Sequence, residues 1–403
     1  MSPSNASTTT TTTQFGLNEE QQAILDAADR FAREQLYPLA SRMDNEEWWP
    51  DSVFPQMGAL GMLGTTVPER YGGAGMDHLS SGLICQALGR WNHAIALSWA
   101  AHDNLCVNNI YANGSEHIRT TYLPRLCSGE HIGALALTEP GAGSDALGSM
   151  RTKAVRDGDN YVLNGTKLYI TNGPVADIVL VYAKTQPAPG SKGISAFVVE
   201  TTTPGFQVAQ KLVKMGFRGS QTAELVFYDC IVPAANLVGD EHEGHKVVMS
   251  GLDLERAMIA PISLGISERA LALALDWAQT REQFGKPIGS FQMIQSKLAD
   301  MYVAVETATT FIHQVLSEID GTAACDRGRL QMRAAAAVMY AANVSNTVLD
   351  EMLQIHGGAG YIWETEANRL FRAIKLLEIG AGTTEVRKLI IARSLLGREV
   401  VDG

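Results

Sequence analysis

Gly251-Leu252-Asp253-Leu254-Glu255-Arg256 opens the last large segment of the 403-residue chain. A glycine-containing turn over 239–244 precedes it. Apolar residues then recur at helical spacing: Met258, Ile259, Ile262, Leu264, Ile266, Ala270 and Leu271. Only Pro261 interrupts that period. From here to the end the pattern is helical, with helices expected at 245–282, 291–318, 328–356, 366–376 and 384–396. Residues 281–290 make the turn between the first two. Gln354-Ile355-His356-Gly357-Gly358-Ala359-Gly360-Tyr361 breaks the pattern with three glycines. Packed helices joined by glycine turns predict a four-helix bundle. A carboxylate such as Glu255 on the first turns of such a helix can stay solvated, pair with Arg256, or act as a base. On spacing alone the first two are the ordinary uses.

Upstream the character differs. An apolar run over 133–137 ends in Thr138-Glu139-Pro140-Gly141-Ala142-Gly143-Ser144-Asp145. Strands over 161–163 and 167–171 flank Asn164-Gly165, a two-residue hairpin signal. Further strands are expected at 178–183, 194–199 and 224–228. Short polar connections predict an antiparallel sheet that closes near Val238. Before Gly133 the chain is mainly α. Asn18-Glu19-Glu20-Gln21 is an N-cap with a capping box. The face formed by Ile24, Ala28 and Phe31 follows, and Pro38 is expected to end it. Helices are expected at 57–63, 80–101 and 115–126, with a glycine-rich connector over 68–75. The fold class is therefore α+β multidomain: a Ser/Thr-rich disordered tail (1–14), an N-terminal α-helical domain (15–132), a middle antiparallel β-sheet domain (133–243) and a C-terminal four-helix bundle (244–403).

Composition narrows the function classes. Hydrophobic content of 46% with 19% charged residues describes a globular chain, and no apolar run is read as reaching membrane-spanning length. A net charge of −11 without a basic stripe argues against nucleic acid as partner. Cys85, Cys106, Cys127, Cys230 and Cys325 are odd in number and widely spaced, which fits buried thiols in a reducing compartment, not a disulfide frame or a zinc site. The histidines are not paired at ligand spacing, so no metal is expected. No G-x-G-x-x-G joins a strand to a helix, and neither G-x-S-x-G nor H-E-x-x-H occurs. The first 13 residues lack Arg and Lys, so no clear targeting segment is read; a bacterial-type cytoplasm or a mitochondrial matrix is expected.

Taken together, five ordered stretches resemble the acyl-CoA dehydrogenases, from about residue 15 onward. They are Leu137 to Asp145, Tyr169-Ile170-Thr171-Asn172-Gly173, Arg281-Glu282-Gln283-Phe284-Gly285-Lys286-Pro287-Ile288, the glycine stretch from Gln354, and Gly382-Thr383-Thr384-Glu385-Val386-Arg387. The resemblance implies FAD between the β domain and the C-terminal bundle. Leu137, Thr138, Tyr169 and Thr171 match positions facing its isoalloxazine ring, with Tyr169 in place of the commoner Trp. Ser144 matches a cofactor and acyl-CoA contact. Arg281, Phe284, Gln354, Gly357 and Gly358 match positions that hold the FAD of a neighbouring subunit. Thr383 and Glu385 match positions near its pyrophosphate and adenosine. Leu252, Asp253 and Arg256 match the acyl-CoA side. A homotetramer, as a dimer of dimers, and an electron-transfer flavoprotein as acceptor are further implications.

The implied reaction takes the α-proton of an acyl thioester onto a carboxylate and its β-hydride onto flavin N5. The thioester oxygen is held by a ribityl hydroxyl and by a backbone N–H of the loop matching Gly380-Ala381-Gly382. Most of the family carries its base where this chain has Ala381, which cannot accept a proton. A smaller set, acting on isovaleryl-CoA or long chains, carries it at the position of Glu255. Gly380, where Tyr is common, leaves room for a branch beside the β-carbon; Leu97 and Ala101 match the floor of the short-chain pocket. Glu255 is thus the expected base and a short branched acyl-CoA the expected substrate. Another acyl chain, an oxygen-using acyl-CoA oxidase or flavin monooxygenase, or a non-catalytic acyl-CoA-binding relative are the alternatives.

Overall fold

The computed structural model describes residues 16–321, 327–397 and 400, apart from the side chains of Asp253 and Arg327. The expected tail over 1–14 and Cys325 lie outside these residues. The first third is helical: α1 (Glu19–Phe31), α2 (Tyr37–Glu46), α3 (Val53–Ala59), α4 (His78–Trp91), α5 (His93–Ala100), α6 (Asn108–Asn113) and α7 (Glu116–Cys127). Asn18 Oδ1 accepts from the Gln21 N–H at 2.8 Å, and Gln21 Oε1 accepts from the Asn18 N–H at 3.1 Å, the reciprocal box read from the sequence. Pro38 does not end the helical run. A π turn at Ala32–Leu36 leads without a break into α2, and this local change of helical pitch accommodates the N–H that Pro38 cannot donate. The helix expected at 57–63 lies earlier, because Gly61 and Gly64 take left-handed backbone (φ 68° and 61°) and turn the chain.

The middle third forms β1 (Gly133–Ala136), β2 (Lys153–Asp157), β3 (Asn160–Thr171), β4 (Ile178–Lys184), β5 (Ile194–Glu200), β6 (Phe206–Lys211), β7 (Thr222–Pro233) and β8 (Leu237–Val238). They make one sheet in the order β6-β7-β3-β2-β4-β5-β8, with β1 beside β4. Pairing is antiparallel except where β1 runs parallel to β4 and at the single Lys153–Lys184 pairing. Asn164-Gly165 is not the hairpin turn. Gly158-Asp159 turns the chain, with Gly158 at φ 57°, and Asn164-Gly165 lies inside β3 at a bulge. A side chain on Gly165 would collide with Thr152, so its glycine answers to close packing.

The last third comprises α8 (Gly244–Thr280), the two-residue strands β9 (Glu282–Gln283) and β10 (Lys286–Pro287), then α9 (Gln292–Ile319), α10 (Arg327–His356), α11 (Glu366–Ile374), α12 (Leu376–Ile379) and α13 (Thr384–Leu396). Pro261 lies within α8 and does not end it. By length and apolarity α8 could cross a membrane, but 67% of its most apolar window is buried within the protein, where it packs on α4, α9 and α10.

Burial explains the layers. Apolar residues of α1 to α5 share one core with α8 to α12, so the first and last thirds form a single helical body. The central strands β1, β4 and β5 are buried on both faces, while β2, β6 and part of β7 expose one face or more. Ile178, Leu180 and Tyr182 of β4 face Ile110, Leu123 and Val247, while Val179, Val181 and Ala183 pack with Leu163, Phe197 and Phe227. The period of two sends alternate side chains to opposite faces.

Candidate active site

Glu255 stands on α8, partly buried, where Tyr182 of β4 and Arg387 of α13 come within electrostatic reach of it. Burial pushes its carboxyl up to about 7, against the pull of the positive charges on Arg256 and Arg387. Tyr182, wholly buried, has its hydroxyl acidity weakened by burial first, then by Cys106 and Glu255. Its hydroxyl has no hydrogen-bond partner among the described residues. Arg256 is buried one residue along α8, and Leu252 packs one turn earlier against the core beneath the sheet. The Asp253 side chain lies outside the described residues. A carboxylate at this acidity is half-ionised near neutral pH and can accept a proton from a weak carbon acid.

Arg387, wholly buried on α13, anchors the chain ahead of that helix. It donates through Nη1 to the Leu377 carbonyl at 2.8 Å and through Nη2 to the Gly380 carbonyl. Gly380 has an ordinary backbone (φ −71°), and Ala381 is left-handed (φ 54°). Glu378 points its carboxylate elsewhere, accepting from Asn346 Nδ2 at 2.9 Å and pairing with Lys375. Leu97 and Ala101 are buried, Leu97 within the helical core.

The 137–145 loop is held from beneath. Lys167, wholly buried on β3, donates to the Leu137 carbonyl at 3.0 Å and to Glu139 Oε1 at 2.9 Å. Glu139 also accepts from the N–H groups of Arg151 and Thr152 at 2.7 and 2.9 Å. The Leu168 N–H donates to the Thr138 carbonyl at 2.8 Å, which docks this loop on β3. A register shift between Lys167 and Ile170 lifts Tyr169 into left-handed backbone (φ 62°), with the residue 66% exposed. Asn172, also left-handed, ties the end of β3 to the carbonyls of Ser98 and Gly133. Thr171 lies between them.

These residues fit a flavin. Tyr169 offers an uncovered aromatic face, a Cβ on Gly141 or Gly143 would meet nothing within 4 Å, and Ser144 is exposed. Thr383 caps α13, whose first-turn N–H groups suit a pyrophosphate; Glu385 lies exposed in the same turn. A second exposed group lies at the far end of α8. The Arg281 guanidinium stands 5.8 Å from the Trp277 ring, which stacks on His356 at 5.0 Å. Phe284 is 93% exposed in the β9–β10 turn, and Gln354, Gly357 and Gly358 are exposed beside His356. Among the described residues, no group of three or more His, Cys, Asp or Glu could hold a metal ion.

Sequence reasoning assigns no role to Lys167, Tyr182 or Arg387. A signal exists for Lys167: the period of two places a lysine among inward positions of β3. Arg387 lies in the stretch from Gly382, and only the folded loop shows what it holds.

Three family models match the chain: the acyl-CoA dehydrogenase N-terminal domain over residues 18–130, the middle domain over 134–230 and the C-terminal domain over 242–396. Mitochondrial isovaleryl-CoA dehydrogenase of Pongo abelii is 44% identical over 94% of this chain and 89% of that protein. Mitochondrial 2-methylacyl-CoA dehydrogenase of Solanum tuberosum is 42% identical over 95% and 92%. Butyryl-CoA dehydrogenase from Megasphaera elsdenii superposes with a TM-score of 0.90 at 38% identity, covering 95% of this chain and all of that one. A chain in a structure of the electron transferring flavoprotein of Acidaminococcus fermentans superposes with a TM-score of 0.91 at 39% identity, with the same coverage.

Proposed function

Because the chain belongs to the acyl-CoA dehydrogenase family, a family of FAD-dependent oxidoreductases, we propose that its substrate is a short branched acyl-CoA, isovaleryl-CoA foremost. The observation that carries this reading is Glu255, partly buried on α8 within electrostatic reach of Tyr182 and Arg387, while the late loop has Ala381 and no carboxylate at that position. FAD, when bound, supplies the acceptor for the β-hydride. The remaining work falls to the chain. Glu255 takes the α-proton; Leu137, Thr138, Tyr169 and Thr171 line the ring; the Ala381 N–H holds the thioester oxygen as negative charge develops there. Arg281, Phe284, Gln354, Gly357 and Gly358, exposed on one subunit, serve the cofactor of another in a homotetramer. Thr383 and Glu385 lie by the pyrophosphate and adenosine, and Ser144, Leu252, Asp253 and Arg256 on the acyl-CoA side. An electron-transfer flavoprotein is the acceptor, in line with the Acidaminococcus likeness. The matrix and a bacterial cytoplasm both suit this reading, since similar proteins include mitochondrial ones and one from Bacillus subtilis.

Anaerobic flavin bleaching by a panel of acyl-CoAs tests the substrate. Isovaleryl-CoA is expected to bleach the flavin faster than butanoyl-CoA; the reverse order overturns the branched-chain reading. Gly380→Tyr sharpens it. Gly380 needs no glycine backbone, and a Cβ there would lie 3.3 Å from the Leu376 carbonyl, a tight contact that a shift of a few tenths of an ångström relieves. The ring would occupy space beside the β-carbon, and kcat/KM is expected to fall more for isovaleryl-CoA than for butanoyl-CoA. One methylene of pocket space carries roughly 1–3 kcal/mol, which sets the scale of the difference. Equal losses would remove the case for a branch pocket.

The pH profile follows from the same carboxyl. Glu255 must be ionised to accept a proton, and its pKa is raised to about 7. Flavin reduction is therefore expected to rise with pH through about 7 and then level off. A rate that is flat from about pH 5.5 to 8.5, a window spanning that value, would place the base elsewhere.

A further inference from the structure

Arg387 is a buried arginine whose hydrogen bonds, among the described residues, go to two backbone carbonyls, those of Leu377 and Gly380. A cation at the last carbonyls of α12 is an adequate helix cap. The geometry says more than that. The Gly380 carbonyl and the Ala381 N–H belong to one trans peptide, so they point in opposite directions. Whatever grips the carbonyl also fixes where the N–H points. The next residue, Ala381, is left-handed at φ 54°, a conformation that an alanine keeps only when its surroundings hold it. Guanidinium charge on the carbonyl oxygen also makes the N–H on the far side of the peptide a stronger donor. Burial and the neighbouring Arg256 lower the pKa of Arg387 to about 10, so it remains a cation at neutral pH.

We propose that Arg387 is the positioning residue for thioester activation: by clamping the Gly380 carbonyl it aims and polarises the Ala381 N–H at the thioester oxygen. This rests on the reading of Glu255 and the 380–382 loop given above. Arg387 does not touch the substrate. It places positive charge behind the donor peptide, within electrostatic reach of Glu255, where the enolate forms.

The test uses the FAD-loaded enzyme and two variants, Arg387→Gln and Arg387→Lys. The probe is 3-methylbut-2-enoyl-CoA labelled with carbon-13 at the thioester carbonyl, observed by isotope-edited infrared spectroscopy. In the native enzyme the bound carbonyl band is expected well below its position in water. In Arg387→Gln that displacement is expected to fall by about half or more, while reduction by isovaleryl-CoA slows about 10²-fold per bound FAD and KM moves much less. Arg387→Lys, which keeps the charge without the fork, is expected to fall between. It also carries the test should the Gln variant not fold. A helix cap alone predicts lower thermal stability with the band and the rate per FAD unchanged, and that result overturns the proposal. Glu255→Gln separates the two readings, because it is expected to slow reduction by about 10²–10⁴-fold and leave the band displaced. A Glu255→Gln protein that reduces normally removes the base assignment, and the Arg387 band still decides the donor.

Discussion

Glu255→Gln is expected to keep FAD and acyl-CoA while slowing anaerobic flavin reduction by about 10²–10⁴-fold, the usual contribution of a positioned general base. That factor corresponds to roughly 3–5 kcal/mol of barrier. Glutamine keeps the shape and cannot accept the proton. Burial already disfavours the charged form of Glu255, since its carboxyl is pushed up to about 7. Removing the charge therefore relieves a cost of folding, and stability is expected to hold or rise. A Glu255 that served only as a partner to Arg256 predicts the opposite pair of results: lost stability, with reduction near normal. Stopped-flow reduction and thermal unfolding on the same preparation tell these apart. Adding Ala381→Glu to Glu255→Gln offers a carboxylate from the other side of the α-carbon, and partial recovery biased toward straight chains is expected. Near-native reduction in the single variant would end the assignment. Glu378 would be a poor replacement, because its carboxylate is already held by Asn346 and Lys375.

Lys167→Met is expected to destabilise the protein by about 3–5 kcal/mol, because it strands the carboxylate of Glu139 inside the protein. Lys167 and Glu139 are 0% and 5% exposed at the side chain, so water cannot take over. The effect reaches the cofactor, since the same ammonium holds the Leu137 carbonyl. FAD is expected to dissociate more readily, measured by fluorescence of released flavin. Adding Glu139→Gln removes the stranded charge, so the double variant is expected to lose much less than the sum of the two singles. A single-variant loss below about 1 kcal/mol, the range of an exposed pair, would mean that the pair supports nothing.

The order α, β, α is legible in the sequence because long apolar periods survive local exceptions. Pro38 and Pro261 show the limit of that reading. Proline reads as a stop or a break at both places, yet one falls in a first turn and the other rides inside a 37-residue helix whose packing outweighs one missing bond. Asn164-Gly165 shows a second limit. The dipeptide reads as a turn, while the turn itself falls at nearby Gly158, which takes the left-handed backbone a tight turn demands. The parallel pairing of β1 with β4 is hidden from alternation, which is blind to strand direction. The site divides similarly. Glu255 and the loops proposed to hold the flavin are reached through motif resemblance. The groups that hold those loops in place, Lys167 and Arg387, act through backbone carbonyls, and no spacing rule announces a carbonyl partner.

The helical core shared by α1 to α5 with α8 to α12 has a consequence for how the chain is made. Leu83 and Ile95 emerge from the ribosome long before Ile262 and Ile312, with the whole sheet synthesised in between. At translation rates of about 5–20 residues per second, the separation of 229 positions from Leu83 to Ile312 means a delay on the order of 10–50 s. During that interval the nascent N-terminal helices have no permanent cover for their apolar sides. Production of this protein therefore favours slow, cool expression with ample holding chaperone, and a nascent chain stalled after the sheet is the form most exposed to aggregation.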